Sequence, residues 1–491
     1  MKRGLSVLLA LMLLLGMVTI AAAEAPQITW LIEEAGTTAN ESNIVLDKIE
    51  ELTGVRVRAI QAAPGEFDTK LNTLIASKTL PDIMRVDLAT ANQLIQEGMV
   101  MPMDDLLRQY GQDVLNEIGD TLPLAPANQI DGQTYMVVSS NTEYMENLAI
   151  RKDWLSNLGL EMPTDLDSLY DTLVAFTKND PDQNGKDDTI GIVMTMAQNM
   201  QWENLFGTFG IAYNKPMRLE DGTVTTYMKH PHYLEAIAYL RKLYQAGVMD
   251  PDFATMPAMT AHEKLWSGQC GAYGFRSVGT TNNWYPGRYT FETTNDPADT
   301  FAYAQITGPY GECGSAKQYP KLKLGFVITS TCENPEAAMQ LINFMFTKEG
   351  DELLYLGVSD VMWRWVDEAN GQYERLGEYT DDATHRSNGG FVYWPDMLKD
   401  GVGMRTLNPL SRNAQLEQQK HAIEWAEILR EFEADTEYGT LLKDIEKEAL
   451  ATLIVTDGDV ETEYAAFVER WDSEGGLEWQ EQATEAYAAQ Q

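Results

Sequence analysis

The chain has 491 residues and a net charge of −38, with 74 Asp and Glu against 36 Lys and Arg. This length is ample for a large core and predicts more than one domain. A field of this sign repels nucleic acid and anionic membrane surfaces, so no nucleic-acid partner is expected. The three cysteines are too few for a disulfide scaffold, and either one disulfide or three buried free thiols fits.

The N-terminal segment predicts export. Lys2 and Arg3 form a basic region, residues 5–20 are apolar, and residues 21–23 are alanines that suit cleavage. The apolar run is short for a membrane span, so we expect residues 1–23 to be a cleaved signal peptide; an uncleaved anchor is the alternative. No cysteine lies near the cleavage point, so a lipid anchor there is not expected. These features predict an extracellular or periplasmic protein.

Strand-like and helix-like segments alternate from residue 27 onward. Alternating β-branched runs predict strands, and amphipathic runs predict helices. In chain order these segments are residues 27–33, 42–53, 55–60, 67–77, 80–84 and 91–97. This alternation is typical of a parallel sheet with helices on its faces.

Residues 151–191 carry the most informative pattern in the chain. A short helix is predicted to stop at Gly159, and Pro163 and Thr164 open a second helix with Thr164 as its N-cap. The second helix is predicted to end at Asn179, where an acidic loop begins. The first helix and the second are thus followed by a loop rich in oxygen ligands.

The acidic loop, residues 180–188, resembles the first part of a calcium-binding loop. The predicted ligands are Asp180, Asp182, Asn184, the backbone carbonyl of Lys186, and Asp188. Hard oxygen ligands on alternate residues around a sharp turn at Gly185 suit Ca²⁺. The bidentate Glu expected at the twelfth position is absent, because Gly191 stands there. The alternative is a solvated acidic turn.

A second alternating block runs to about residue 301, and helices close the chain. Further strands are predicted at residues 132–138, 147–150, 271–275 and 323–329. Further helices are predicted at residues 231–246, 260–267, 335–346, 348–356, 415–434, 438–455 and 459–471. The acidic tail from residue 475 is expected to fray.

Five stretches give the chain a family resemblance. They are LDKIEELTGV, LIASKTLPDI, KLWSGQCGAYG, ENPEAAMQLINFMFTKEG and, as the most specific, the stretch from IRKDWLSNLGLEMPTDL to QNGKDDTIG. Together they resemble the extracellular solute-binding proteins, family 1, of ABC transporters, and within these the calcium-loop subgroup that binds oligosaccharides such as alginate.

The resemblance implies a type II periplasmic-binding-protein fold, an α/β fold of two lobes, each a mostly parallel sheet flanked by helices. One lobe would take residues 24–142 and 306–356, and the other residues 143–305 and 357–491. The hinge candidates are residues 139–143 and 305–309. The ligand would lie in the cleft between the lobes.

The resemblance also implies a function. Such a protein captures an oligosaccharide by lobe closure and, as a monomer, delivers it to the permease subunits of an ABC importer in the membrane. Any Ca²⁺ would be structural and distant from the cleft. Thr189 follows the calcium loop where relatives carry an acidic residue, which removes one carboxylate.

Sugar binding requires aromatic platforms and bidentate polar groups. The aromatic candidates, for each of which core packing is the alternative, are Trp202, Trp284, Tyr285, Trp363, Trp365 and Trp394. The polar candidates are Glu34 and Asp82 at predicted strand ends, Asn199 beside Trp202, and Arg276, Arg386 and Arg405 near glycine-rich turns. For the arginines, surface ion pairing is the alternative.

The sequence is not expected to encode an enzyme. The G-x-S-x-G, Walker A and HExxH motifs do not occur, and five His make a zinc site improbable. The separation of paired carboxylates is a three-dimensional property, so a secreted glycoside-active enzyme is the rival hypothesis. A binding protein for a non-sugar such as a peptide is the third.

Overall fold

Two sheets, each at the centre of its own hydrophobic core, organise the chain. A computed structural model describes residues 24–32, 38–62, 66–140, 145–276 and 300–490, apart from the side chains of Met200 and Arg276. The strands are β1 (Gln27–Leu31), β2 (Arg56–Ile60), β3 (Ile83–Asp87), β4 (Val137–Val138), β5 (Glu146–Arg151), β6 (Ile190–Ile192), β7 (Met217–Arg218), β8 (Val224–Thr225), β9 (Cys270–Arg276), β10 (Phe301–Ala304), β11 (Leu324–Ile328), β12 (Trp363–Asp367) and β13 (Gln372–Arg375).

Helices cover the sheets and close the chain. They are α1 (Ile44–Thr53), α2 (Phe67–Ser77), α3 (Leu88–Gln96), α4 (Asp104–Tyr110), α5 (Gln112–Ile118), α6 (Lys152–Leu158), α7 (Leu166–Lys178), α8 (Met200–Gly207), α9 (Tyr233–Gln245), α10 (Ala258–Trp266), α11 (Pro335–Met345), α12 (Lys348–Leu356), α13 (Asp382–Ser387), α14 (Val402–Arg405), α15 (Pro409–Lys420), α16 (Glu433–Val455), α17 (Val460–Trp471) and α18 (Leu477–Ala488). In the described part of the chain, none of these helices has the length and apolarity needed to cross a membrane.

Local sequence explains several of these elements. Asn43 caps α1 by accepting from the backbone N–H groups of Val45 and Leu46, and Gly54, at a φ of 71°, ends the helix. The cap of α7 is Asp165, not the predicted Thr164: its carboxylate accepts from the Ser168 N–H in a capping box. Asp is a stronger N-cap than Thr on average, so residue type already favours Asp165 over Thr164.

The sheet of the first lobe has the order β2-β1-β3-β11-β4. β1 is parallel to β2 and β3, whereas β11 is antiparallel to β3 and β4. The sheet of the second lobe has the order β10-β5-β9-β6, and β5 is antiparallel to both of its neighbours while β6 is parallel to β9. The predicted two-lobed α/β fold is therefore confirmed, but the sheets are mixed and not mostly parallel.

The two cores divide the chain differently from the predicted lobes. The core of the first lobe includes Met362, Trp363, Tyr393 and Val402 beside residues of β1, β3 and β11. Residues 357–402, predicted for the second lobe, therefore pack in the first. The second core includes Ile306, so the chain returns to the first lobe later than predicted.

The second lobe is completed by the C-terminal helices. Residues of α16 such as Leu450 are fully buried against the core that contains Trp202 and Phe206. The predicted fraying of the tail is wrong, because Trp479 and Ala483 of α18 are buried in the same core. An apolar stripe on α18 therefore has a partner that the local sequence does not reveal.

In the described part of the chain, residues 139–140 and 145–147, residues 317–321 and residues 403–422 form three connections between the two cores. The side-chain amide of Gln415 in α15 makes two hydrogen bonds to the backbone of the first connection, as a neighbouring strand would. Its Oε1 accepts from the Met145 N–H at 2.8 Å, and its Nε2 donates to the Met145 carbonyl at 2.9 Å. The second and third connections meet the second core side by side, where Ala316 and Ile423 form a parallel bridge. The predicted hinge at residues 305–309 lies instead within the second lobe, where the Thr307 N–H donates to the Thr164 carbonyl.

None of the three cysteines forms a disulfide. Cys270, Cys313 and Cys332 are free and buried. Of the two alternatives that the sequence leaves open, the structure therefore contains the three free thiols. Burial raises the pKa of the Cys270 and Cys332 thiols to about 12, so neither is a ready nucleophile.

Candidate functional site

An aromatic cavity of about 410 Å³ opens in the first lobe. It is lined by Trp30, Ile32, Phe67, Arg85, Phe326, Phe391, Val392, Tyr393, Trp394 and Pro395. Ile32 directly follows β1, and Phe67 begins the helix after β2. The cavity therefore reaches the carboxyl ends of parallel strands, where open α/β sheets place their ligands.

The floor of the aromatic cavity belongs to the core. Trp30 contacts Phe326 edge-on at 5.9 Å between ring centroids and Tyr393 at 6.2 Å. The hydroxyl of Tyr393 accepts from Asn43 Nδ2 at 2.8 Å, which ties the floor to the cap of α1. These three rings are almost fully buried, so the floor is rigid.

The rim of the aromatic cavity is more open. Phe391 and Trp394 are half-buried, and their ring centroids lie 5.9 Å apart. Phe391 has a φ of 66°, a left-handed conformation that costs a bulky residue on the order of 1–3 kcal/mol and is concentrated at ligand sites. The two rings offer apolar surface to a ligand above a fixed floor.

A double glycine makes this rim possible. A Cβ on Gly389 would lie 2.6 Å from Asn43 Oδ1, and a Cβ on Gly390 would lie 2.2 Å from the His385 ring. Only glycine allows the chain this close to α1 and α13. The run of two glycines followed by Phe, Val, Tyr and Trp is the sequence signal that could have identified Phe391 and Tyr393 as site residues.

The structure brings some predicted ligand residues to this site. Trp394 lines the aromatic cavity. Arg386 lies beside it, with its guanidinium 4.7 Å from the Phe391 ring centroid and its Nε donating to Asp382 at 2.8 Å. The Arg386 side chain thus stiffens the rim while its charge is balanced by a carboxylate.

Two predicted tryptophans are core residues. Trp202 is fully buried, and its indole N–H donates to the Thr195 carbonyl at 2.9 Å. Trp363 is 1% exposed, and its N–H donates to the Gly357 carbonyl at 2.8 Å. In each residue the ring is buried and the indole N–H has a backbone acceptor. Both tryptophans are therefore core residues, which is the alternative stated for them. Neither lines the aromatic cavity.

Three further candidates lie outside the aromatic cavity. Trp365 is half-buried on β12 and contacts Trp363 edge-on at 5.2 Å. Asp82 precedes β3 instead of ending it, and it accepts from both the N–H and the hydroxyl of Thr29 at 2.7 and 2.6 Å. The predicted strand is thus shifted by three residues, which moves Asp82 to the opposite end of β3.

Asn199 is exposed directly before α8 of the second lobe. Its neighbours are engaged internally: Gln201 Nε2 donates to the Tyr273 hydroxyl at 2.6 Å, and that hydroxyl lies 3.1 Å from His262 Nδ1. Gln198 Nε2 lies 3.0 Å from the other ring nitrogen of His262. The hydrogen bonds of Gln198 and Gln201 therefore fix the chain on both sides of Asn199.

The remaining ligand candidates, apart from Arg405 at the end of α14, lie outside the described residues. These are Glu34, Trp284, Tyr285 and the side chain of Arg276. The backbone of Arg276 ends β9, paired with Glu146 of β5.

The acidic loop after α7 gathers its predicted ligands. Asp180 accepts from the N–H groups of Asn184 and Gly185 at 3.1 and 3.0 Å. The side-chain amide of Asn184 donates to Asp182 at 2.8 Å and to Asp188 at 3.1 Å. Three carboxylates thus surround Asn184, two at its side-chain amide and one at its backbone N–H, around a turn at which Gly185 has a φ of 74°.

The loop has the negative charge that a cation site needs, but not all of its ligand atoms are in position. Burial, followed by the nearby Asp180 and Asp188 carboxylates, raises the pKa of Asp182. In this conformation Asn184 presents its amide nitrogen to the carboxylates, and a hard cation requires its oxygen. Among the described residues, no group of three or more His, Cys, Asp or Glu has the arrangement of a metal site. The donor types suit Ca²⁺, but the loop as it stands is closed by its own hydrogen bonds.

The known proteins to which this sequence is similar are solute-binding proteins and a lipoprotein. The family model for bacterial extracellular solute-binding proteins matches residues 35–352. Lipoprotein LipO of Bacillus subtilis is 28% identical over 232 residues, which cover 46% of this chain and 45% of that protein. The fructooligosaccharide ABC transporter substrate-binding protein FusA of Streptococcus pneumoniae is 27% identical over 325 residues, 62% of this chain and 57% of FusA. The matches thus span about half the length of these curated relatives.

Solved structures share the fold along nearly the whole chain. An extracellular solute-binding protein from Bifidobacterium longum subsp. infantis has a TM-score of 0.75 at 18% identity, with 96% of this chain and 100% of that chain covered. An EF-hand mutant of FusA in complex with fructo-nystose has a TM-score of 0.66 at 20% identity, with coverage of 94% and 99%. Since the family model spans more than half of the chain, the chain belongs to the bacterial extracellular solute-binding proteins.

Proposed function

We propose that this protein is the extracellular substrate-binding component of an ABC importer and that it captures an oligosaccharide. The aromatic cavity is the observation that carries the proposal. Its volume of about 410 Å³ falls in the range of about 300–1,000 Å³ that is common for small-ligand pockets. Family membership and the sugar named for FusA support the same conclusion.

Half-buried rings above a rigid floor suit a sugar. The apolar face of a pyranose or furanose ring packs on an indole or phenyl face, and hydroxyls at its edge need polar partners. Trp394 and Phe391 would supply the packing surface, with Arg386 behind Phe391. Glu34, Arg276, Trp284 and Tyr285 remain predicted ligand contacts.

The proposed mechanism is lobe closure. A ligand that contacts both lobes stabilises the closed arrangement by its difference in affinity between the open and closed states. The aromatic cavity would supply the contacts from the first lobe, and the region around Asn199 those from the second. The closed form would then dock on the membrane permease, and the ATPase of the importer would supply the energy.

A panel of oligosaccharides tests this function. Fructooligosaccharides, neutral glucans and uronate oligomers are added to the protein, and the melting temperature is followed, since a ligand of the native state raises it. Trp394→Ala should weaken binding of any hit about tenfold or more, which corresponds to ~1.4 kcal/mol of lost packing. Trp365→Ala is the matched control, because Trp365 is also half-buried but lies outside the aromatic cavity.

The same samples test the rival hypotheses. Chromatography of the sugars after incubation should recover them intact; shortened products would establish a glycoside-active enzyme. Peptides that raise the melting temperature where no sugar does would overturn the oligosaccharide assignment.

We further propose a structural Ca²⁺ in the acidic loop. Asp180, Asp182, Asp188, the Asn184 side-chain oxygen and the Lys186 carbonyl would hold it, and its two positive charges would reduce the repulsion among the three crowded carboxylates. The EF-hand named for the FusA mutant supports this assignment. The loop connects α7 to β6 and does not contribute to the aromatic cavity, so the ion would stabilise the second lobe without touching the ligand.

The location of the protein is also a proposal. We expect export through the signal peptide, residues 1–23, and a soluble monomer outside the cytoplasmic membrane. LipO is named a lipoprotein, whereas this chain has no cysteine at the expected cleavage point. Mass spectrometry of the exported protein should find Glu24 as its first residue; a lipid-modified or uncleaved N-terminus would contradict this.

A further inference from the structure

A buried carboxylate stands behind the rim of the aromatic cavity. Asp351 of α12 is 2% exposed, and its Oδ1 accepts from the Trp394 indole N–H at 2.8 Å. Its Oδ2 accepts from the Val402 backbone N–H at the start of α14. The Asp351 carboxylate thus fixes both the Trp394 ring, which lines the cavity, and the backbone at the start of α14.

The charge of Asp351 is balanced by its neighbours. Arg405, at the end of α14, lies 3.5 Å from Asp351 Oδ2 and also contacts Glu352 and Glu368. Burial raises the pKa of Asp351, while the Trp394 and Val402 N–H groups and Arg405 favour its ionised form. Arg405 is therefore engaged by carboxylates, as the ion-pairing alternative for it describes.

A second residue of α12 holds the Trp394 ring itself. Tyr355 follows Asp351 by four residues, so both side chains project from one face of the helix. The Tyr355 ring meets Trp394 edge-on at 4.6 Å and Phe391 edge-on at 5.1 Å. Asp351 fixes the N–H edge of the Trp394 ring, and Tyr355 packs against both rings of the rim, Trp394 and Phe391.

These contacts have a consequence for binding that rests on the proposed function. The geometry points to Asp351 and Tyr355 as positioning residues that set ligand affinity by holding Trp394 in its binding orientation without touching the ligand. Ordering a mobile side chain on binding costs about 0.5–1.5 kcal/mol, or roughly two- to tenfold in affinity. The Asp351 hydrogen bond removes that cost in advance.

A double-mutant cycle on affinity tests the inference. The variants are Asp351→Leu, which has a similar shape and no acceptor, Trp394→Phe and the combination, with the dissociation constant of the best oligosaccharide of the panel measured by calorimetry. Asp351→Leu should weaken binding roughly two- to tenfold. Trp394→Phe keeps a ring but removes the N–H, so Asp351→Leu should add no further loss in that background. Two independent losses that multiply would overturn the inference.

The chain supplies a matched control pair. The Trp479 indole N–H donates to Asp435 Oδ1 at 2.7 Å in the second lobe, away from the aromatic cavity. Asp435→Leu and Trp479→Phe remove the same kind of hydrogen bond and should leave the dissociation constant unchanged. An equal loss of affinity in this pair would show that general loosening, and not positioning, causes the effect.

A measurement without ligand keeps this inference separate from the proposed function. In protein labelled with 5-fluorotryptophan, the Trp394 signal in the fluorine NMR spectrum is assigned by its loss in Trp394→Phe. Asp351→Leu should shift or broaden this signal and leave the Trp479 signal in place. An unchanged Trp394 signal would refute the positioning role even if sugars bind, whereas failure of every sugar to bind would refute the proposed function alone.

Discussion

A buried acid in the second lobe makes the stability of the protein depend on pH. Glu446 of α16 is 8% exposed and lies beside Trp471, whose indole N–H donates to it at 3.1 Å. The phenol groups of Tyr213, Tyr227 and Tyr233 lie near Glu446, and the charge of Lys443 favours its ionised form. Burial raises the pKa of Glu446 from 4.5 to about 7.

The sign and size of the effect follow from this pKa. Between pH 4.5 and 7 the unfolded chain has released the Glu446 proton and the folded chain has kept it, so stability falls as pH rises through this interval. A pKa difference of this size corresponds to roughly 3 kcal/mol that is fully lost above pH 7. Glu446→Gln keeps an acceptor for Trp471 and removes the ionisation, so the variant should gain up to about 3 kcal/mol at pH 8 and little at pH 4.

Calorimetry between pH 4 and 8 measures this difference. At pH 8 the transition of the second lobe should rise by about 6 °C or more in Glu446→Gln. Glu448→Gln, an exposed substitution on the same helix, is the control and should follow the wild-type curve. Burial also raises the pKa of Glu427 to about 7, so part of the wild-type slope should persist. Parallel curves for wild type and Glu446→Gln would refute the reasoning.

Two further predictions concern the connection between the lobes and the acidic loop. Gln415→Ala leaves the Met145 N–H and carbonyl without their side-chain partners, so the free energy of unfolding in urea should fall by about 2–5 kcal/mol. A loss below ~0.5 kcal/mol would show that these two hydrogen bonds do not stabilise the connection. Ca²⁺ should raise the melting temperature, with ~2.7 kcal/mol of stabilisation at a concentration one hundred times its dissociation constant, and Asp182→Asn should remove the effect. If chelation abolishes sugar binding without lowering stability, the ion is not merely structural.

Local signals in the sequence predict much of the fold. α2 (Phe67–Ser77) and α12 (Lys348–Leu356) have the predicted bounds, because each has a clear amphipathic period and a defined end. The predicted strands at residues 55–60, 271–275 and 323–329 match β2, β9 and β11 to within a residue or two. The capping box and the acidic loop are likewise encoded within a few neighbouring residues.

Long-range packing decides the rest. Nothing local indicates that residues 357–402 return to the first lobe, since that follows from the contacts of Tyr393 with Trp30 and of Asp351 with Trp394. Composition equally cannot separate Trp202, which fills a core, from Trp394, which lines a cavity. The difference lies in whether the indole ring is enclosed on every side, and this depends on elements far apart in the sequence.

The most direct test of the central claim is a crystal structure with the oligosaccharide that raises the melting temperature most. We predict that a sugar ring packs on Trp394 and Phe391 in the aromatic cavity and that residues of the second lobe contact the same ligand. A sugar bound elsewhere, or held by the second lobe alone, would contradict the account.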